Sequence, residues 1–346
     1  MHRAFRLAAG VAGGSVAAWL GTRALLRRRR SFSFAGKTVL VTGGSRGLGL
    51  VIARRLVEEG ARVAICARTG PELIEAARDL SRRGGRCMAF ACDVRDAAAV
   101  ARMVDEIEYA WGTIDVLFNV AGVIEVGPFD SMTHEDFHRS MDTHCWGVLH
   151  TVEAVLPAMR RQNWGRIVNI ASLGGKRAVP HMLPYAASKF ALVGLSTGLR
   201  AELAPDGILV TTVCPGLMRT GSPRNATFKS KHRAEYAWFS IGDSLPLISM
   251  NADAAAKKIV QGCRQGDAEV LIGSGSPAAM IQGIAPNFVA EITTLMNKLL
   301  PSMGGIGRLA ARGYESRSRW SPSALTVLGD QAAARNNELN GGFRNK

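Results

Sequence analysis

Between residues 36 and 275, short apolar runs alternate with stretches whose apolar positions recur every three to four residues. The runs at 37–41, 62–66, 86–91, 114–118, 166–171, 208–213 and 268–272 read as strands. Helical periodicity occupies 48–57, 71–83, 97–111, a long stretch from about Thr133, then 185–203 and 251–264. Pro71 suits a first helical turn, and Thr133 suits an N-cap. This alternation predicts an α/β fold: a doubly wound parallel sheet of about seven strands with helices on both faces. Ligands of such sheets sit at the carboxyl ends of the strands. Residues 36–275 therefore read as one domain, with no repeat beyond the alternation itself.

The first run ends in Thr42-Gly43-Gly44-Ser45-Arg46-Gly47-Leu48-Gly49, and a helical pattern follows at once. Glycine reaches positive φ and lacks a Cβ, so this backbone can approach a phosphate closely. The helix that follows presents unpaired N–H groups and the positive end of its dipole. The spacing T-G-x-x-x-G-x-G is not G-x-G-x-x-G, and a tight turn without ligand would also use glycines. A second feature stands 136 residues beyond Gly49: Tyr185 and Lys189, spaced as Y-A-A-S-K. Four residues apart on a helix, they share a face. A free tyrosine has a pKa near 10. A nearby ammonium favours the phenolate and is expected to lower that value, so the pair could move a proton to or from an oxygen.

Together these motifs resemble the short-chain dehydrogenase/reductase family. The matches are Thr42-Gly43-x-x-x-Gly47-x-Gly49, Asp93-Val94, Asn119-Val120-Ala121-Gly122, Ser172, Tyr185-x-x-x-Lys189 and Pro215-Gly216-x-x-x-Thr220, in the family's order. The resemblance implies a Rossmann-like fold and an oxidoreductase that interconverts a ketone and a secondary alcohol. It implies that Ser172 hydrogen-bonds the substrate carbonyl, that Tyr185 transfers the proton and that Lys189 also holds the nicotinamide ribose. For the dinucleotide it implies Gly43, Ser45, Arg46, Gly47, Leu48 and Gly49 at the pyrophosphate. It adds Asp93 and Val94 near adenine, with Asn119, Ala121, Gly122, Pro215, Gly216 and Thr220 around the pocket. Two positions depart from the family pattern. Val120 replaces an asparagine, and His144 stands in His144-Cys145-Trp146-Gly147 where the family has Asn-x-x-Gly. His144 could keep a backbone role, or its ring could join a proton relay, since histidine titrates near neutrality.

Cofactor choice follows from the end of the second strand, Cys66-Ala67-Arg68, which carries no acid to bind a ribose 2′-OH. Arg68, with Arg46 in the glycine turn, suits a 2′-phosphate instead. NADP(H) is expected over NAD(H).

Composition changes the picture mainly at the ends. The net charge is +15, and residues 1–30 supply seven arginines and no acid. Residues 7–26 form a 20-residue, mostly uncharged stretch, just long enough to span a bilayer, with the arginines at 27–30 on the cytoplasmic side. A membrane anchor holding a cytoplasmic catalytic domain is expected. A surface-lying helix and a removed targeting peptide, leaving a cytoplasmic enzyme, stay open. No aromatic-interleaved basic motif points to nucleic acid. The six cysteines show no C-x-x-C spacing and read as reduced thiols, and no metal-ligand cluster is present. Residues 217–250, with Tyr236, Trp238 and Phe239, resemble the family's substrate-covering segment and suggest a lipophilic substrate, unless the aromatics merely pack a core. Residues 276–330 read as a helical extension and 331–346 as a disordered tail. The family's habit implies a homo-oligomer. The competing function is an NADP(H)-binding scaffold or sensor with little turnover, which only His144 favours.

Overall fold

The structure is a computed structural model that describes residues 21–339, residue 69 excepted. Seven parallel strands form its main sheet: β1 (Thr38–Thr42), β2 (Arg62–Ala67), β3 (Arg86–Ala91), β4 (Val116–Asn119), β5 (Gly165–Ile170), β6 (Ile208–Pro215) and β7 (Glu269–Ile272). Their order across the sheet is β7-β6-β5-β4-β1-β2-β3. The seven anticipated strands all form, within a few residues of their expected limits. Central strands such as β1 are buried on both faces, which is why they read as continuous β-branched runs rather than alternating ones.

Two apolar layers sandwich the sheet. On one face α1 (Gly47–Glu58), α2 (Gly70–Arg82) and α8 (Ala252–Gln265) bury Ile52, Leu56, Leu80 and Ile259. On the other, α3 (Ala97–Trp111), α5 (Gly147–Arg161) and α6 (Leu183–Leu203) bury Ile107, Val152, Val155 and Leu192. Each such side chain contributes about 1.5–3 kcal/mol by leaving water. The chain reverses its winding between β1 and β4. The loops after these two adjacent strands lead to opposite faces and open a crevice at their carboxyl ends.

Three further elements frame that end. Helix α4 (His134–Met141) starts where Thr133 N donates to Asp136 Oδ2 at 2.8 Å. The expected single long helix from Thr133 is interrupted by a π turn, Asp142–Trp146, before α5. A small sheet joins Glu125–Val126, Thr227–Phe228 and Ala311–Arg312. It is tied to α4 by a largely buried cluster of two acids and two bases. Arg139 pairs with Glu125 and Asp136, both at 2.8 Å, and Lys229 pairs with Asp136. Helix α7 (His232–Ser244) covers this sheet with Tyr236 and Phe239, both packed on Phe228.

The C-terminal expectations need correction. Helices α9 (Ser276–Ile284) and α10 (Pro286–Leu299) do form, but residues 300–326 are mostly turns and short bridges rather than helix. Of the expected disordered tail, residues 331–339 pack on the domain, and 340–346 lie outside the described residues. Helix α11 covers Val327–Arg335, and Asn336 and Glu338 are buried. Small residues explain both the packing and the missing sequence signal. A Cβ on Gly221 would lie 2.4 Å from Ala333 Cα, so α11 seats on backbone rather than on a row of large apolar side chains.

At the other end, residues 1–20 of the expected anchor lie outside the described residues. Residues 21–30 are helical and dock on the catalytic domain, where Arg27 holds Asp267 through two bonds of 2.7 and 2.6 Å. Arg30 O accepts from Arg166 at 3.0 Å. Among the described residues no helix is long and apolar enough to cross a membrane. The six cysteines are all free thiols, buried except for the half-buried Cys87.

Candidate active site

The glycine turn closes β1 onto the start of α1, and its glycines answer to different constraints. Gly43 has φ +67°, and a Cβ there would lie 2.8 Å from Ala121 Cα. One on Gly49 would lie 2.1 Å from Gly43 O, and one on Gly44 2.6 Å from the Ile65 side chain. Gly43 and Gly44 are glycine because the turn packs against the loop after β4 and against β2, and Gly49 because the turn closes on its own backbone. Gly47, with φ +55°, faces a space instead, filled by the Glu338 carboxylate at 2.6 Å from a built Cβ, with the Thr220 side chain 3.9 Å away. Thr42 Oγ1 fastens the crevice by accepting from Val120 N at 3.0 Å and Ala121 N at 3.2 Å.

Asn119 is wholly engaged inside. Its Nδ2 donates to Asn169 Oδ1 at 3.0 Å, and its Oδ1 accepts from Thr151 at 2.7 Å. The network continues from Asn169 through Ser196 to Thr212. Such a chain rigidifies the strand ends below the crevice. Asp93 pairs with Arg95 at 2.7 Å, and Val94 packs against Gly147. Pro215 and Gly216 carry β6 out of the sheet, where Gly216 N donates to Ile272 O at 2.8 Å.

Ser172, Tyr185 and Lys189 meet beyond the ends of β5 and β6. Ser172 Oγ accepts from Gly174 N at 2.9 Å and makes a long contact of 3.4 Å to Pro215 O. That hydroxyl is free to turn towards another acceptor. Lys189 is buried and donates to Ile170 O at 2.8 Å. Burial brings its amine down to about 7. Burial also pushes the Tyr185 phenol up, and the hydrogen bond with Ser172 pulls it only part of the way back. The anticipated lowering of Tyr185 by Lys189 is therefore absent. The ammonium lies 5.7 Å from the ring centre, is spent on a carbonyl and is only partly charged at neutrality.

His144 sits in the π turn, 1% exposed. Its Nε2 accepts from Val123 N at 3.1 Å, so the single ring proton of the neutral form lies on Nδ1 and goes to Ser188 Oγ at 2.7 Å. Ser188 Oγ donates in turn to Tyr185 O at 2.8 Å. The ring also meets Tyr185 edge-on, centres 5.5 Å apart. Burial, with Lys189 nearby, holds the imidazole well below its ordinary value. Gly122 makes room for it, since a Cβ there would stand 3.1 Å from Nε2.

The two cofactor-choice arginines part ways. Arg68 is exposed at the end of β2, with the Asp93 carboxylate as an opposing charge. Arg46 lies between Glu72 at 3.8 Å and Glu338 at 3.6 Å. Sequence reasoning missed Glu338 entirely, because it sits in a polar tail without periodicity. The substrate-side aromatics divide as well. Tyr236 and Phe239 are core, whereas Trp238, Ile124, Val179 and Tyr185 are only partly buried around them. An open groove of about 710 Å³, lined by Leu73, Ile74, Ala77, Ala89 and Ala91, lies on the β3 edge away from this chemistry. The convergence of hydroxyl, phenol and amine, rather than that groove, marks the site.

The family model for short chain dehydrogenase matches residues 37–230. A "Putative ketoacyl reductase" of Streptomyces coelicolor is 40% identical over 186 residues, covering 53% of this chain and 71% of the relative. Oxidoreductase UcpA of Salmonella typhimurium is 42% identical over 186 residues, 54% of this chain and 70% of that protein. Among solved structures, NAD+-bound xylitol dehydrogenase superposes with a TM-score of 0.61 at 30% identity, over 70% of this chain and all of the other. This chain belongs to the short-chain dehydrogenase family of nicotinamide-dependent oxidoreductases.

Proposed function

We propose that the chain interconverts a ketone and a secondary alcohol, with Ser172, Tyr185 and Lys189 as its catalytic residues and NADP(H) as its preferred cofactor. The observation that carries this reading is the convergence of the Ser172 hydroxyl and the Tyr185 ring about Gly174, with the buried Lys189 amine on the same helix face held by Ile170 O. A bound nicotinamide supplies or takes up the hydride. The turn at Gly43, Ser45, Arg46, Gly47, Leu48 and Gly49 would hold its pyrophosphate. Asp93 and Val94 would flank the adenine, with Asn119, Ala121, Gly122, Pro215, Gly216 and Thr220 lining the remainder. The donors fit an anion: Gly47 N–H opens α1, and a side chain there would fill the space above it.

Ser172 already accepts from Gly174 N–H, so it meets a substrate oxygen as a donor and polarises the carbonyl. Tyr185, held protonated at neutral pH by burial, gives its proton to the developing alkoxide. Lys189, whose amine lies near 7, can then reprotonate the phenolate. His144, neutral and bonded at both ring nitrogens, orients Tyr185 through Ser188 and takes no proton. The partly exposed Ile124, Val179 and Trp238 beside Tyr185 favour a lipophilic substrate. Exposed Arg68 at the end of β2, where no acid stands to bind a ribose 2′-OH, supports NADP(H), although one structural relative is NAD+-bound. A homo-oligomer stays part of this reading, and exposed apolar side chains such as Trp146 and Phe190 are available to it.

The test is oxidation of NADPH and NADH by the full chain with a panel of ketones. Turnover should prefer NADPH and fall about 10²–10⁴-fold in Tyr185→Phe, the range that general acid catalysis contributes, with dinucleotide affinity retained. Tight binding without turnover on any ketone, and no effect of Tyr185→Phe, would favour the scaffold alternative instead.

A further inference from the structure

The cradle that the sequence reserves for a pyrophosphate holds part of the chain itself. After α11 the backbone turns at Asn337, with φ +59°, and runs along the glycine turn. Gly47 N–H opens α1 and has no intrahelical partner of its own. It donates to Asn336 O at 2.9 Å. Asn336 Nδ2 donates to Thr220 O at 3.3 Å, and Asn337 Nδ2 donates to Ser45 O and Glu72 O, both at 2.9 Å. The segment thus bridges the two walls, Ser45–Gly47 and Thr220, between which a dinucleotide would pass.

Glu338 completes the substitution. Its carboxylate lies over Gly47, accepts from Asn225 Nδ2 and faces Arg46 Nε at 3.6 Å. The side chain is only 4% exposed. A carbonyl on the first free N–H of a helix, with a carboxylate beside it and an arginine opposite, meets the same donors that a phosphate would use. Gly47 is the glycine of the turn whose open side faces this carboxylate rather than packed backbone. Anchoring comes from α11, where Arg54 grips Arg335 O at 3.0 Å and Ala333 seats on Gly221.

We propose that Asn336–Glu338 is a built-in competitor of the dinucleotide: it occupies the phosphate cradle of the free protein and must leave before the cofactor binds. This rests on the dinucleotide reading given above. It has a simple quantitative consequence. If the docked segment leaves only a tenth or a hundredth of the molecules open, the apparent dissociation constant is raised by about 10- to 100-fold.

NADPH and NADH are titrated, by nucleotide fluorescence, into the full chain, a chain ending at Arg335, and full-length Glu338→Ala. The truncated chain should bind about tenfold tighter or better, and Glu338→Ala should fall between. Saturating NADPH should also speed carboxypeptidase removal of the C-terminal residues of the full chain. Should the truncated chain fail to fold, Glu338→Ala and the digestion carry the test alone. Equal or weaker binding in the altered chains, with digestion unchanged or slowed by NADPH, would overturn the competitor while leaving the dinucleotide reading intact. No dinucleotide binding by any of the three would remove both.

Discussion

His144→Asn isolates one buried titratable group whose protonation state follows from its hydrogen bonds. In the folded protein Nε2 accepts from Val123 N–H and Nδ1–H is given to Ser188, so a second proton would displace one of these bonds inside a dry pocket. Burial accordingly holds the folded imidazole well below the ordinary value of 6.5, which the unfolded chain keeps. The sign follows directly. Below pH 6.5 the unfolded chain takes up a proton that the folded chain refuses. Stability therefore falls as pH drops, by about 1.4 kcal/mol per pH unit while the folded ring stays neutral. Between pH 6.5 and 5 this amounts to at most about 2 kcal/mol, reached only where the folded ring stays neutral throughout. Asparagine cannot titrate, so the variant should lack this slope. It also loses part of two buried hydrogen bonds, a pH-independent cost of about 1–3 kcal/mol. Urea unfolding of both proteins from pH 7.5 to 5 separates the two effects, because every other titrating group cancels in the difference. The gap between the curves should narrow as pH falls. Parallel curves would refute the neutral, doubly bonded histidine. So would a pH–rate profile whose neutral limb moves in His144→Asn, since that requires the ring to carry a proton during turnover.

Arg68→Ala should weaken NADPH binding by about 1.5–3 kcal/mol, the worth of a charge-assisted hydrogen bond, and leave NADH nearly untouched. Comparing the two dissociation constants checks this, and an equal loss for both would deny Arg68 a role in cofactor choice. Phe228→Ala should destabilise the fold by about 3–5 kcal/mol, because the ring is fully buried between Tyr236 and Phe239. Thermal or denaturant unfolding measures it, and a loss under about 1 kcal/mol would mean that this small core does not carry the covering segment. Arg27→Ala removes a partly exposed ion pair and should cost less than about 1 kcal/mol in the same assay. A larger loss would show that residues 21–30 are integral to the catalytic domain rather than laid upon it.

Much of the architecture was legible because its signals are local. A strand run and a following periodic helix are each written in a dozen or so consecutive residues, and their alternation orders seven strands into a parallel sheet. Tyr185 and Lys189 were legible for the same reason, since four residues on a helix fix a common face. What lies around them was not. The sequence led to a tyrosine acidified by its lysine. The fold buries Lys189, draws Tyr185 largely out of water and sends the lysine to Ile170 O, so their acidities follow from desolvation, a property of the packed site. The role of His144 depended on which backbone N–H, that of Val123, reached its ring. Tyr236 and Phe239 became core only because Phe228, on a short strand, arrived beneath them.

The tail marks the limit most clearly. Nothing in the spacing of Asn336, Asn337 and Glu338 announces a partner, because small and polar residues carry no hydrophobic period. Their burial is decided by a surface nearly 300 residues earlier in the chain, the free N–H of Gly47 and the carbonyl of Ser45. By itself the sequence determined the strands, the order of the motifs and the chemical groups available. Only the tertiary structure decided which of those groups are desolvated and which donors are already taken, because both are properties of neighbours that distant segments supply.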